Sequence, residues 1–193
     1  MASPDDSAPR LEIERKYLLR AAPVLPPGAE TWRIEQGYLP GQGRLRRITR
    51  ADGRVVLIHT LKQGVGLVRQ EVEREITPEA FERDWPATQG ARLRKTRHRV
   101  PDAATGLVWE IDVFDQPPGL VLAEVELPEA RHPASPPAWL APFIEREVTD
   151  DPRYTNRAIA ALTVQPLVKH DLLQPTSGKD QESSRAIDHS DNE

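Results

Sequence analysis

Charged and apolar residues alternate along several short segments of this chain, and this alternation limits the fold more than any other feature. Glu12, Glu14 and Lys16 alternate with apolar neighbours near the start, and Glu124 and Glu126 do so further along. Side chains at positions i and i+2 of a β-strand lie on the same face. The spacing therefore predicts strands with one charged face and one apolar face. Pro- and Gly-rich breaks recur between the segments, which is typical of many short antiparallel strands.

Turn and cap residues locate the main elements. Asp52-Gly53 between residues 44–50 and 55–61 predicts a β-hairpin. Thr77 followed by Pro78 predicts the start of a helix that runs to about residue 85, and an Ala-rich stretch predicts a second helix over 156–162. The chain is thus predicted to be mainly β, in the α+β class. One domain is expected over residues 11–163, with a disordered N-terminus over 1–10 and a flexible, largely polar C-terminal tail over 164–193.

Composition excludes several classes of function. The chain has no cysteine, which excludes disulfides, thiolate metal sites and thiol catalysis. It has no apolar run long enough for a membrane helix and no apolar leader near Met1, so we expect a cytoplasmic protein without a membrane partner. The histidines are scattered without the spacing of a metal site.

The signs of the charges segregate by strand, and this weakens the ordinary explanation that each charged face simply meets water. Acidic strands carry two or three carboxylates, and Lys95, Arg97 and Arg99 form a basic set. Like charges at i and i+2 repel, and natural surfaces usually mix signs. A closed sheet would place these faces around a lumen, which fits an apolar fraction of only 38%. Divalent cations would offset the cost of clustered carboxylates, and a chain of phosphates would neutralise clustered Lys and Arg.

A series of motifs supports this interpretation. In chain order they are E-x-E-x-K at 12–16, QGYL at 36–39, R-x-R at 44–46, T-x-K at 60–62, R-x-E-x-E at 69–73, K-x-R at 95–97, two acidic strands at 109–114 and 123–127, and EVT…RYTN at 147–156. Their types and order over residues 11–162 resemble the CYTH superfamily, the triphosphate tunnel metalloenzymes, and in particular its compact bacterial inorganic triphosphatases. The resemblance implies a closed eight-stranded antiparallel β-barrel with a few flanking helices. It also implies a lumen that holds a triphosphate with Mg²⁺ or Mn²⁺.

The resemblance also implies roles for individual residues. The expected metal ligands are Glu12, Glu14, Glu124 and Glu126, with Glu73, Glu110 and Asp112 for a second ion or its waters. The alternative for each carboxylate is a buried ion pair with a lumen arginine. The expected phosphate ligands are Lys16, Arg44, Arg46, Lys62, Lys95 and Arg97, with Arg69 and Arg146 as additions whose alternative role is charge balance.

The implied reaction is metal-dependent hydrolysis of tripolyphosphate to diphosphate and phosphate. Two kinds of general base stay open. One is a carboxylate such as Glu73 or Asp112 acting on water at the metal. The other is Tyr38 paired with Lys16, if neighbouring cations lower the tyrosine pKa; its alternative is an ordinary strand aromatic. The four tryptophans are expected to pack on the outer face of the sheet.

Three other functions compete with this one. A relative could hydrolyse thiamine triphosphate or cyclise ATP, or the chain could bind polyphosphate without catalysis. Nucleic acid is not an expected partner, because basic residues are interleaved with paired carboxylates. The expected partner is a small-molecule triphosphate, and the expected assembly is a monomer or homodimer.

Overall fold

The computed structural model describes residues 13–41, 43–63, 70–129 and 131–162, and these form nine strands, two α-helices and three 3₁₀ turns. The strands are Ile13–Leu19 (β1), Glu30–Tyr38 (β2), Gly43–Arg50 (β3), Val55–Gln63 (β4), Gln70–Glu75 (β5), Arg92–Pro101 (β6), Val108–Phe114 (β7), Val121–Leu127 (β8) and Ile144–Glu147 (β9). The helices are Pro78–Asp84 (α1) and Asn156–Leu162 (α2), and the 3₁₀ turns are Trp85–Thr88, Ala141–Phe143 and Pro152–Tyr154. No helix among these residues is both long and apolar enough to cross a membrane.

The strands form one antiparallel sheet in the order β5-β4-β3-β2-β6-β7-β8-β1-β9. The predicted mainly β, antiparallel fold is confirmed. The predicted eight-stranded closed barrel is not, because the sheet has nine strands and no ladder joins β5 to β9 within the described ranges. Both edge strands carry exposed charges, such as Glu73 and Glu75 on β5 and Glu145 and Glu147 on β9. Charged edge strands disfavour further strand pairing.

The predicted turns and helix starts are confirmed. Gly53 adopts a φ of +83°, and its amide donates to the Arg50 carbonyl at 3.0 Å in the β3–β4 hairpin. A positive φ of this size is the reason that glycine suits the turn. The Thr77 hydroxyl accepts a hydrogen bond from the Ala80 amide at 3.3 Å, so it caps α1 as predicted.

Gly37 in the QGYL motif has a packing role. A Cβ added there would lie 2.5 Å from the Thr88 hydroxyl oxygen. The 3₁₀ turn that carries Thr88 therefore packs directly on the backbone of β2, and only glycine allows this approach.

The two faces of the sheet differ in chemistry. One face of β1, β7 and β8 contributes Tyr17, Trp109 and Ile111 to an apolar core, which Leu140 helps to cover. The opposite face curves around a cavity, because side chains from β1 through β8 all line it. We call this the concave face. One end of the concave face is filled by a second apolar cluster, in which Leu18, Leu122 and Phe114 pack against Ile159 of α2.

Candidate functional site

A cavity of about 550 Å³ lies on the concave face and brings together most of the predicted site residues. Those that line it are Glu14, Arg44, Arg46, Glu73, Lys95, Arg97, Glu110, Glu124 and Glu126. They come from strands far apart in the sequence, and the alternation of side chains along each strand directs them to the same face. Glu12, Arg69 and the side chain of Lys62 lie outside the described residues.

Arg97 is the centre of an ion-pair cluster on one side of the cavity. Its Nε lies 2.7 Å from Asp112 Oδ1, and its Nη2 lies 2.7 Å from Asp112 Oδ2 and 2.9 Å from Glu124 Oε2. Its Nη1 also donates to Glu110. One guanidinium group thus contacts three of the predicted metal-site carboxylates. These contacts are of the kind expected under the alternative for each carboxylate, an ion pair with an arginine.

Asp112 is completely buried between Arg97 and Lys95. The Lys95 ammonium donates to Asp112 Oδ2 at 2.6 Å and to the side-chain oxygen of Asn156 at 3.0 Å. Burial alone would raise the pKa of Asp112, but the charges and hydrogen bonds of Arg97 and Lys95 lower it well below its ordinary value. A carboxylate held in this way is a weak proton acceptor. Its geometry suits the orientation of two cations better than the activation of water.

Lys16 bridges one carboxylate of its own strand β1 and one of the paired strand β8. Its Nζ lies 3.0 Å from Glu124 Oε1 and 3.2 Å from Glu14 Oε1. Burial alone would lower the pKa of Lys16, but Glu124 and Glu14 raise it above its ordinary value. Lys16 therefore stays charged and holds these two carboxylates together.

Glu14 and Glu126 stand directly opposite each other on β1 and β8. The side chain of Glu14 is 51% exposed, and Glu126 is also exposed. Glu126 has no ion pair among the described residues. Two carboxylates facing each other across a ladder repel, and a hard divalent cation would relieve that repulsion through oxygen ligands. The donor chemistry therefore fits Mg²⁺ or Mn²⁺, although the described residues contain no cluster of three or more His, Asp or Glu already grouped for a metal.

The opposite side of the cavity, on β3 to β5, is rich in arginine. The Nη2 atoms of Arg44 and Arg46 both donate to the same oxygen of Glu73, Oε1, the first at 3.1 Å. The Thr60 hydroxyl donates to that oxygen at 3.0 Å. The side chain of Glu73 is 40% exposed. Two guanidinium groups on one face of β3, beside an exposed carboxylate, are suited to contact a phosphate group.

Tyr38 is buried at the α2 end of the concave face. Its hydroxyl accepts a hydrogen bond from Gln36 Nε2 at 2.7 Å, and the Arg157 guanidinium carbon lies 4.6 Å from its ring centre. Burial raises the pKa of Tyr38 above its ordinary value, and Arg44 offsets this only in part. Neighbouring cations do lower the pKa of Tyr38, but burial outweighs them, so the condition set for a tyrosine base is not met here. Within the described residues, the Lys16 ammonium pairs with Glu14 and Glu124, not with the Tyr38 hydroxyl.

Arg146 is not brought to the cavity. Its Nη2 donates to the Tyr154 hydroxyl at 2.9 Å, and its Nη1 lies 3.7 Å from Asp151. The reason is that β9 pairs outside β1, at the edge of the sheet. Its contact with Asp151 is of the kind expected for its alternative role, charge balance.

Several residues that contact the site were missed by the sequence interpretation. Gln36, Thr60 and Asn156 contact predicted site residues directly. Trp32 lines the cavity, so the expectation that all four tryptophans pack on the outer face is wrong for it. Arg50 and Arg99 also line the cavity. Neither was predicted as a phosphate ligand, although both continue the i+2 alternation of their strands.

Comparisons with known proteins give consistent results. The chain is 38% identical over 154 residues to an inorganic triphosphatase of Nitrosomonas europaea, which covers 77% of this chain and 96% of that protein. It is 46% identical over 93 residues to an inorganic triphosphatase of Acetivibrio thermocellus, which covers 47% of this chain and 56% of that protein. The crystal structure of the inorganic triphosphatase NE1496 superposes with a TM-score of 0.53 at 34% identity, over 78% of this chain and 94% of that one. No protein-family model matches the chain.

Proposed function

The chain belongs to the compact bacterial inorganic triphosphatases of the CYTH superfamily, and from that premise we propose that it hydrolyses inorganic triphosphate to diphosphate and phosphate with Mg²⁺ or Mn²⁺. The observation that carries the proposal is the division of charge across one cavity. Arg44 and Arg46 share one carboxylate oxygen on one side, while Glu14 and Glu126 face each other on the other. The phosphates of a triphosphate would contact the arginines, and a divalent cation would lie between the carboxylates.

The arginine side would bind the phosphate oxygens. Guanidinium groups donate two parallel hydrogen bonds to a phosphate, which fixes its orientation as well as its position. Arg44 and Arg46 project to one face of β3 at i and i+2, so they can contact neighbouring phosphates of one chain. Their present partner, Glu73, is exposed enough to move when a phosphate replaces it.

The carboxylate side would hold the metal. Among the predicted metal ligands that the structure describes, Glu14 and Glu126 have exposed side chains and line the cavity, and Glu124 lies next to Glu126 on the same face of β8. A divalent cation bound there would neutralise charge on the phosphoryl oxygens during transfer. Lys16 and Arg97 hold Glu124 in place through its two oxygens.

The proton acceptor is best assigned to Glu73 among the described carboxylates. Asp112 is buried and holds a strongly lowered pKa, whereas the raised pKa of Tyr38 keeps its proton in place near neutral pH. We infer that Asp112 positions Lys95 and Arg97, and that Tyr38 positions Gln36. Glu73 lines the cavity beside the arginines and is accessible to water.

The closed tunnel of the superfamily is also part of this proposal. Side chains from β5 and from β1 both line the cavity, through Glu73 and Glu14. These strands stand at the two ends of the first eight strands in the sheet order, with β9 outside. A sheet curved enough to bring its ends to one cavity supports a tunnel of eight strands. A cytoplasmic location and a monomeric or homodimeric state stay proposals.

The test is phosphate release by the purified full chain. Tripolyphosphate, ATP and thiamine triphosphate are each offered with Mg²⁺, with Mn²⁺ and with chelator. We expect rapid release from tripolyphosphate that requires the metal. Faster release from either organic triphosphate would assign the chain to the competing enzymes. No release from any substrate, together with a rise in melting temperature on adding tripolyphosphate, would indicate a binding module.

A further inference from the structure

The indole of Trp32 lies between two guanidinium groups at the end of the cavity away from α2. The Cζ atoms of Arg50 and Arg99 each lie 4.7 Å from the centre of the Trp32 ring. All three side chains line the cavity. We call this group the Trp32 clamp.

The two arginines reach the indole from different sides. Arg50 lies on β3, directly opposite Trp32 in the ladder, and Arg99 lies on β6. Since β2 runs between β3 and β6 in the sheet, the two arginines belong to the strands on either side of the one that carries the indole. A cation stacked on an aromatic face at this distance is a favourable contact.

Two carboxylates hold the clamp in place. Arg50 Nη1 donates to Glu30 Oε1 at 2.8 Å, and Arg99 Nε donates to Glu110 Oε1 at 3.0 Å. Glu110 also accepts from Arg97. The clamp is therefore joined to the Arg97 cluster through one shared carboxylate.

The clamp lies next to the position proposed for the phosphates. Trp32 is paired directly with Arg97 across the β2–β6 ladder, so their Cα atoms stand about 5 Å apart. Apolar side chains, among them Ile48 and Val56, complete this end of the cavity. A substituent on the end of a bound triphosphate that points away from α2 would extend into this region.

A purine base would be held best by a flat slot with cationic groups on its faces. The clamp has this form, but the bicyclic indole of Trp32 already occupies the slot. We propose that Trp32 is a specificity-determining residue, which fills the place of a nucleobase and so restricts the site to triphosphates that carry no organic group. The inference rests on the proposed triphosphatase function and names its substrate class.

The test replaces Trp32 with Phe, Leu and Ala and measures kcat/KM for tripolyphosphate and for ATP with Mg²⁺. The side chain at position 32 fills less of the slot from Phe to Ala, so kcat/KM for ATP divided by kcat/KM for tripolyphosphate should rise in that order. The rise should be about tenfold or more in Trp32→Ala, because stacking contributes strongly to base binding. The rise in melting temperature on adding ATP, relative to that on adding tripolyphosphate, should increase in the same order.

Free indole provides a matched control. Added to Trp32→Ala it should refill the slot and reduce ATP hydrolysis, whereas the wild-type chain should not respond to it. If Trp32→Ala does not fold, the wild-type, Phe and Leu series still tests the order. A flat ratio across that series, with tripolyphosphate hydrolysis intact in the wild type, would overturn the role of Trp32 and leave the proposed function standing. A wild-type chain that releases no phosphate from tripolyphosphate would instead overturn the proposed function.

Discussion

The two walls of the cavity use the same residue types in opposite ways. In the first wall, formed by β6, β7, β8 and β1, Lys16, Lys95 and Arg97 are buried and each contacts at least one carboxylate. In the second wall, formed by β3, β4 and β5, Arg44 and Arg46 share one oxygen of the exposed Glu73. A buried charge without a partner is very costly, so the first wall must be neutral within itself to fold. The second wall presents two arginines and an exposed carboxylate to the cavity, where a ligand can reach them.

This difference predicts that the first wall mainly supports the fold and that the second mainly supports binding. The exceptions in the first wall are Glu14 and Glu126, whose exposed oxygens stand at its outer side. Four substitutions test the comparison, from the largest expected effect to the smallest.

Arg97→Met should have the largest effect on stability. It leaves Asp112, Glu110 and Glu124 without their common partner. Breaking a buried ion pair on one side typically costs about 3–5 kcal/mol. Urea or thermal unfolding should show a large loss of stability, or no folded protein. A variant as stable as the wild type would mean that the first wall does not hold the fold together.

Glu126→Gln should lower metal-dependent turnover by about 100-fold, which corresponds to an increase of about 2.7 kcal/mol in the activation barrier. The melting temperature of the variant without metal should stay close to that of the wild type. The physical reason is that the amide keeps the shape of the side chain but removes the charge that would hold the cation. Glu145→Gln on the edge strand β9 is the matched control, because Glu145 is exposed and does not line the cavity. Equal turnover in the two variants would remove Glu126 from the proposed metal site.

Arg46→Ala should weaken substrate binding with little change in stability. Its guanidinium is half-buried, and Glu73 keeps Arg44 as a partner. Loss of one charged hydrogen-bond donor typically costs about 1.5–3 kcal/mol, so we expect KM for tripolyphosphate to rise by about tenfold or more. The rise in melting temperature on adding tripolyphosphate should shrink in parallel. A large fall in the melting temperature of the free protein would contradict the division between the walls.

Tyr38→Phe should have the smallest effect. It removes the hydrogen bond from Gln36, and one such bond is worth about 1 kcal/mol. Turnover should fall less than tenfold, since the raised pKa of Tyr38 disfavours a role as base. A general base typically contributes about 10²–10⁴ in rate. A loss of that size would return Tyr38 to the role that the sequence motif implies.

Much of the fold could be predicted from local patterns. The alternation at Glu124 and Glu126 predicts a strand and assigns its charged face, and β8 confirms it. Asp52-Gly53 predicts the β3–β4 turn, and Thr77 predicts the start of α1. Each of these signals depends only on residues that are close together in the chain, so it can be recognised from the sequence alone.

The partners of the charges could not be predicted in the same way. The contact of Arg97 with Glu124 depends on how β6, β7 and β8 are aligned, and that of Lys16 with Glu124 depends on the pairing of β1 with β8. Arg146 is a second residue whose contacts depend on strand pairing and could not be predicted from the sequence. The family resemblance implies a place for it in the site, but its strand pairs at the outer edge of the sheet.

The sequence by itself therefore determined several strands with their charged and apolar faces, the helix starts and the family. The tertiary structure decided which carboxylates are neutralised by cations and which stay exposed for a metal. It also placed Trp32 inside the cavity between Arg50 and Arg99. The physical reason is that periodicity along a strand assigns a side chain to a face, whereas its partners come from the register between strands that are distant in the chain.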